Sequence, residues 1–128
     1  MEAFLDTYRN LNADNLDQLA KIYTEEVRFI DPAHEINGLV PLKNYFANLY
    51  RSIDPPQFNF THHLRNEADG YVQWEMEFSH PRLSRGRRII VPGASYLQFN
   101  VDNKVFFIRI TLIWGPCFTN RSLFWDGL

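Results

Sequence analysis

The chain has 128 residues, of which 45% are hydrophobic and 16% aromatic, and its formal net charge is -2. This length suits one domain with a real core and is too short for two, so we expect a single domain over residues 1–128. Acidic and basic residues are interspersed, which argues against nucleic acid as a partner, and no apolar run approaches the roughly 20 residues of a membrane span.

Cysteine content and the first residues indicate the compartment. The single cysteine, Cys117, excludes an intrachain disulfide and a cysteine-rich metal site. The chain starts with acidic residues, where a signal peptide would carry basic ones. We therefore expect a cytoplasmic protein.

Two helices are predicted at the start of the chain. Over residues 2–11, apolar side chains recur at intervals of three and four and form one stripe: Phe4, Leu5, Tyr8 and Leu11. A polar turn follows, in which Asp14 or Asn15 is a suitable N-cap for the second helix. That helix is expected to place four residues on one face: Leu16, Leu19, Ala20 and Tyr23.

A strand is predicted over residues 26–30, and it ends abruptly at Asp31, which a proline follows. A short loop carries His34, and Gly38 leads into the longest predicted helix, over residues 39–53. A carboxylate at the end of a strand, next to a histidine and among aromatic residues, is a candidate for acid–base chemistry.

From residue 58 the pattern changes from helical to alternating. A first strand is expected to place Phe58, Phe60, His62 and Leu64 on one face, before a hairpin turn at residues 66–70. In the next strand the expected inward face is Val72, Trp74, Met76, Phe78 and His80.

Two more strands are predicted, over residues 87–100 and 105–114, and the first should bulge or bend at Pro92–Gly93. This order of elements predicts an α+β domain with three N-terminal helices packed on a curved, mixed, mostly antiparallel sheet. A conical cavity is expected between the helices and the sheet. We expect its lining to include Tyr8, Phe60, Trp74 and Met76.

The segment over residues 19–34, Leu-Ala-x-Ile-Tyr-x-Glu-Glu-Val-x-Phe-x-Asp-Pro-x-His, resembles the nuclear transport factor two-like superfamily. Gly38 and the following helix with Tyr45 and Phe46 extend the resemblance, which covers most of the chain. The closer resemblance is to the SnoaL-like (polyketide-cyclase-like) and ketosteroid isomerase branch. It implies a cone-shaped NTF2-like (cystatin-like) fold, which hosts isomerases, cyclases, hydratases and non-enzymatic binders.

The resemblance also implies roles for four residues. Asp31 matches the general base of ketosteroid isomerases, and Tyr8, with one gap, matches the tyrosine that donates to the developing enolate. Tyr23 matches a supporting tyrosine. Where those enzymes place a second donor, a protonated aspartate, this chain has Ser95. Loss of one such donor typically lowers the rate by roughly 10²–10³, so steroid isomerase activity is not expected.

Each candidate also has a structural alternative. Asp31 is either a base or a loop carboxylate that accepts backbone N–H bonds before the helix, as Asp-Pro turns often do. His34 either pairs with Asp31 or bonds to the backbone. Tyr8 and Tyr23 lie on apolar stripes and suit core positions with satisfied hydroxyls. Arg109 either pairs with an acidic residue of a neighbouring strand or binds a ligand carboxylate.

No metal or cofactor is expected. His62 and His63 are adjacent on a strand, so their side chains point to opposite faces and cannot bind one ion together. His80 lies on another strand, and no carboxylate stands at ligand spacing. The arginines in and beside the loop at residues 81–86 suit a solvated hairpin tip or a contact with an anion.

Residues 110–128 depart from the resemblance. Relatives tend to end the last strand with an Asp-Tyr-Phe-Asp-like segment and a glycine, whereas this chain has Ile-Thr-Leu-Ile-Trp-Gly after Arg109. Restoring one guanine after the Arg109 codon permits Asp-Tyr-Phe-Asp-Leu-Gly, in which the genetic code forces the first aspartate and the glycine. We hypothesise a one-base deletion near this codon. Sequencing of the locus tests it, and an intact frame with no nearby alternative would contradict it.

Two hypotheses for function follow, with a third behind them. The first is an isomerase- or cyclase-like enzyme in which Asp31 removes a proton from an apolar small molecule. The second is a protein that binds such a molecule in the same pocket without turnover. The third is a dimeric interaction module, because relatives commonly form homodimers through the outer sheet face.

Overall fold

The computed structural model describes residues 1–79 and 88–113. Its elements in chain order are α1 (Glu2–Asn10), a 3₁₀ helix (Leu16–Lys21), β1 (Tyr23–Ile30), β2 (Glu35–Asn37), α2 (Leu39–Ser52), β3 (Gln57–Arg65), β4 (Asp69–Ser79), β5 (Arg88–Phe99) and β6 (Val105–Leu112). None of the described helices is long and apolar enough to cross a membrane.

The six strands form one sheet in the order β2-β1-β6-β5-β4-β3. β1 pairs with β6 in parallel, and the other neighbours pair antiparallel. The predicted α+β class and the mixed, mostly antiparallel sheet are therefore confirmed. A single buried core joins the helices to one face of this sheet, with Leu5 of α1, Leu42 of α2 and Val27 of β1 almost fully buried.

The prediction of three N-terminal helices is confirmed only in part. Three helices precede β3, and α2 follows β1 as predicted, but the second helix is a short 3₁₀ helix and the strand β2 also comes before α2. Asn15 does not cap the 3₁₀ helix with its side chain. Its side chain instead bonds to the turn before it, accepting from the Asn12 N–H (2.7 Å) and donating to the Asn10 carbonyl (2.7 Å).

The strand before Asp31 is longer than predicted. β1 begins at Tyr23, which the sequence placed on a helix, and it pairs with the three-residue strand β2. β2 was not predicted because three residues are too few to show an alternating pattern. At the end of β2, Gly38 has a φ of 104°, a conformation that favours glycine, and this turns the chain into α2.

The face predicted for His62 and Leu64 is wrong. Phe60 pairs with Trp74, but His62 pairs with Gln73, so β3 carries one extra residue between them and forms a β-bulge. Beyond the bulge the alternation inverts, because side chains along a strand alternate with a period of two. Leu64 is consequently 77% exposed.

The predicted bulge at Pro92–Gly93 is also wrong. β5 pairs with β4 without a register shift from Arg88 to Gln98. Gly93 lies opposite Trp74, and a Cβ atom added there would come within 2.6 Å of the indole Cζ2 atom. The glycine therefore makes room for the indole ring, and no bulge forms at this position.

Several predictions concern residues outside the described ranges. They include His80, Cys117, the predicted end of the last strand at Trp114 and the tail beyond it. The described part of the departing segment is residues 110–113, of which residues 110–112 belong to β6. Most of the arginine loop also lies outside the described residues, but Arg88 begins β5 and its Nε atom lies 3.2 Å from Glu77 Oε1.

Candidate functional site

A cavity of about 70 Å³ lies between the two α-helices and the inner face of the sheet. Eighteen of the described residues line it, and ten of these are aromatic. The helices contribute five rings: Phe4 and Tyr8 from α1, and Tyr45, Phe46 and Tyr50 from α2. The strands contribute the other five: Phe29, Phe58, Phe60, Trp74 and Phe78.

The polar side of the cavity is small. Apart from the tyrosine hydroxyls and the Trp74 N–H, its polar side chains are Asp31 and Ser95. Both are buried. Among the described residues that line the cavity, Asp31 is the only charged one and none is basic.

Asp31 follows the last residue of β1, and its side chain is completely buried. Its Oδ1 atom accepts from the backbone N–H groups of Ala33 (2.9 Å) and His34 (2.6 Å) and lies 3.1 Å from His34 Nδ1. Its Oδ2 atom accepts from the Tyr45 hydroxyl at 2.6 Å. The Asp31 N–H donates to the His34 carbonyl (2.9 Å), which closes the loop.

The two oxygens of Asp31 thus have different surroundings. Oδ1 has three contacts, all from the loop, which is the structural role considered from the sequence. Oδ2 has one contact, to Tyr45. A carboxylate offers about four lone-pair sites, two on each oxygen, so Oδ2 retains the capacity to accept from a second group. Structural and chemical roles are therefore compatible in one side chain.

Tyr45 is the site residue that the sequence reasoning missed. It lies on α2, and burial, followed by the hydrogen bond to Asp31, raises its pKa well above the usual value. The hydroxyl is therefore a proton donor to the carboxylate throughout the physiological range. Its place on the apolar stripe of the helix was visible in the sequence, but nothing in that stripe points to Asp31.

Tyr8 and Tyr23 form a buried pair whose hydroxyl oxygens lie 2.6 Å apart. Burial raises the pKa of both, and for Tyr8 the neighbouring Tyr23 adds to the effect. The pair holds two protons but makes one mutual hydrogen bond, so one O–H remains able to donate elsewhere. Tyr8 lines the cavity, whereas Tyr23 supports it from behind.

Ser95 is 5% exposed, and its Oγ atom accepts from the indole N–H of Trp74 at 3.0 Å. No acceptor for the Ser95 hydroxyl proton is found among the described residues. Tyr50 also lines the cavity, and burial raises the pKa of its hydroxyl. The cavity wall thus holds hydroxyl groups that could bind a ligand atom.

The remaining predicted site residues divide into two groups. Phe60, Trp74 and Met76 line the cavity. His34 contacts Asp31, but its side chain is 36% exposed, and the residue lines a separate groove on the outside.

Arg109 does not lie at the cavity. It alternates with Ile108 and Ile110, which both line the cavity, so its side chain points to the other face of the sheet. There its guanidinium lies 5.4 Å from the Phe107 ring. In the described part of the chain, no cluster of three potential metal ligands occurs.

The sequence profile of the SnoaL-like domain family matches residues 2–108. This range contains the whole cavity lining except Ile110. Among curated proteins, none matches the chain.

Solved structures share the fold at low sequence identity. An NTF2-like protein of unknown function from Burkholderia pseudomallei has a TM-score of 0.75 and 10% identity, over 88% of this chain and 89% of that one. A similar protein from Exiguobacterium sp. 255-15 has a TM-score of 0.73 and 13% identity, over 89% and 98%.

A third structure was determined with a ligand. It is a hypothetical protein with a ketosteroid isomerase-like fold from Catenulispora acidiphila, in complex with trimethylamine. Its TM-score is 0.72 at 12% identity, over 86% of this chain and 82% of that one. At these identities the comparisons show that the fold is shared.

Proposed function

This chain belongs to the SnoaL-like domain family, and from that premise we propose that it binds an apolar small molecule beside Asp31 and removes a proton from it. The observation that carries the proposal is the buried Asp31 side chain at the wall of an aromatic cavity. One of its oxygens is held by the loop, and the other has a single contact.

The proposed step assigns a role to each polar group. Asp31 Oδ2 takes a proton from a carbon next to a carbonyl group, and the electrons of that C–H bond move to the carbonyl oxygen to form an enolate. Ser95 has a hydroxyl proton for that oxygen, and Tyr8 has one when Tyr23 donates the hydrogen bond between the two tyrosines. Return of the proton to a different carbon would complete an isomerisation.

The size of the cavity favours a small ligand. Its volume of about 70 Å³ lies well below the roughly 300–1,000 Å³ of sites for drug-sized molecules. The neighbour from Catenulispora acidiphila was determined in complex with trimethylamine, a compact molecule, and this supports a small ligand for the present cavity. A polycyclic substrate would require the helices or aromatic side chains to move.

Exchange of hydrogen for deuterium in cyclohexanone tests the proton abstraction. In D₂O, the wild-type chain should accelerate the loss of the ketone's α-hydrogen signals in ¹H NMR spectra. Asp31→Asn should lower the accelerated rate by about 10²–10⁴, the usual contribution of a positioned base. A variant that exchanges as fast as the wild type would exclude Asp31 as the base.

Binding without turnover is the second candidate, and the Tyr45 contact favours it. The hydroxyl donates to Oδ2 at 2.6 Å, and a donor at this distance makes the oxygen a weaker base. In that case cyclohexanone would bind to the wild-type chain but its exchange rate would stay at the background value. The homodimer and the cytoplasmic location expected from the sequence remain predictions.

A further inference from the structure

The described lining of the cavity contains an acidic residue and no basic one. The acidic residue is Asp31, which contributes a carboxylate. A buried carboxylate is costly unless it is paired or hydrogen-bonded. The neighbouring His34 ring contacts Oδ1 from the side of the outer groove, so a positive charge inside the cavity would meet no basic residue of the described lining.

The rings of the cavity add a second attraction for positive charge. The faces of aromatic rings are electron-rich, and small ammonium groups bind to cages of such rings. Here Tyr8, Tyr45, Tyr50 and Trp74 are among ten aromatic lining residues, and Tyr45 also contacts the carboxylate directly. An alkylammonium group is positively charged and covered with apolar C–H groups, and therefore suits both features.

We propose that, among compact apolar molecules, the cavity prefers those that carry an alkylammonium group and that its ligand presents this group to Asp31 and the surrounding rings. The volume of about 70 Å³ fits a compact head group of this kind. The inference rests on the proposed function only in taking the cavity as the ligand site. It does not require proton abstraction.

Three probes of nearly the same shape and different charge test the selectivity. Choline is the cation, 3,3-dimethyl-1-butanol is its neutral analogue with carbon in place of nitrogen, and 3,3-dimethylbutanoate is an anion. Each is titrated into the full chain and followed by ¹H–¹⁵N NMR. Choline should bind at least about tenfold more tightly than the alcohol, and the anion should bind most weakly.

Asp31→Asn should remove most of the preference for choline, because the amide keeps the shape of the side chain and loses its charge. The matched control is Asp69→Asn. Asp69 accepts from the Tyr96 hydroxyl at 2.9 Å, lies outside the cavity lining, and its replacement removes the same charge from the molecule. Asp69→Asn should bind choline within about twofold of the wild type, since Asp69 does not line the cavity and salt weakens the attraction between separated charges.

A second pair of variants tests the contribution of the aromatic rings to choline binding, and it can be measured even if Asp31→Asn fails to fold. Tyr50 lines the cavity, and its hydroxyl has no hydrogen-bond partner among the described residues. Tyr50→Leu should weaken choline binding more than Tyr50→Phe does, because only leucine removes the ring.

The outcomes separate this inference from the proposed function. If the alcohol binds as tightly as choline, the inference is wrong and the cavity remains a site for neutral ligands. If Asp69→Asn and Asp31→Asn lose equal affinity for choline, the inference is also contradicted, because the preference for choline would then depend on the net charge of the protein. If neither choline nor the alcohol binds, the ligand site of the proposed function fails as well.

Discussion

At the scale of single residues, the two carboxylate oxygens of Asp31 have different neighbours, which is the arrangement that the proposed function requires. The loop binds Oδ1 through two backbone N–H groups, while Tyr45 binds Oδ2. Asp31 could be singled out from the sequence because it ends a predicted strand, precedes a proline and matches the resemblance. The contribution of Tyr45 depends on how α2 packs against β1, and no local pattern reports that packing.

Tyr45→Phe should destabilise the fold by about 1.5–3 kcal/mol, the usual contribution of a hydrogen bond to a charged partner. The bond is mostly buried and only 2.6 Å long, so water replaces it poorly. Urea unfolding of the wild type and the variant measures the difference.

Tyr96→Phe is the matched control for that measurement. Tyr96 also donates to an aspartate, Asp69, at 2.9 Å, but on the solvent side of the sheet. Tyr96→Phe should lower the free energy of unfolding clearly less than Tyr45→Phe does, since water can replace the hydroxyl there. If the two variants lose equal stability, the buried Tyr45–Asp31 hydrogen bond stabilises the fold no more than an exposed one does.

At the scale of elements, alternation in β4 was predicted correctly and the faces of β3 were not. The inward positions of β4 include Val72, Trp74 and Phe78, which are all buried. In β3, one inserted residue reverses the pattern after Phe60. A bulge depends on pairing with the next strand, so a single strand's pattern cannot reveal it.

Gly93→Ala tests the contact between β5 and the Trp74 indole. The added methyl group would overlap the ring, whose Cζ2 atom would lie 2.6 Å from it, so we expect a loss of about 1–3 kcal/mol in stability. Urea unfolding of the variant measures this loss.

The same substitution in a Trp74→Phe background provides the control. The smaller ring leaves space for the methyl group, so Gly93→Ala should destabilise this background less, with a coupling of at least about 0.5 kcal/mol. An equal loss in both backgrounds would contradict the proposed contact. The sequence suggested a bend at this glycine because the packing of a distant tryptophan is not visible in it.

At the scale of the whole molecule, the aromatic content has a structural explanation. Aromatic residues make up 16% of the chain, and ten of them line one cavity. Composition alone allowed a large core, a cavity or a dimer face. The predicted order of helices and strands indicated the cavity, and the fold places Tyr8, Trp74 and Asp31 around it.

The central claim is that this cavity binds an apolar small molecule beside Asp31. The indole N–H signal of Trp74 is a direct reporter, because this group lines the cavity and donates to Ser95 at 3.0 Å. The chain has three tryptophans, and Trp74→Phe identifies the signal by its loss.

Titration with cyclohexanone, followed by ¹H–¹⁵N NMR, tests most directly whether the cavity binds an apolar small molecule beside Asp31. We expect a saturable shift of the Trp74 indole signal, together with shifts of backbone signals at Asp31 and Ser95. The claim is contradicted if these signals stay in place while others saturate, or if no signal saturates at all.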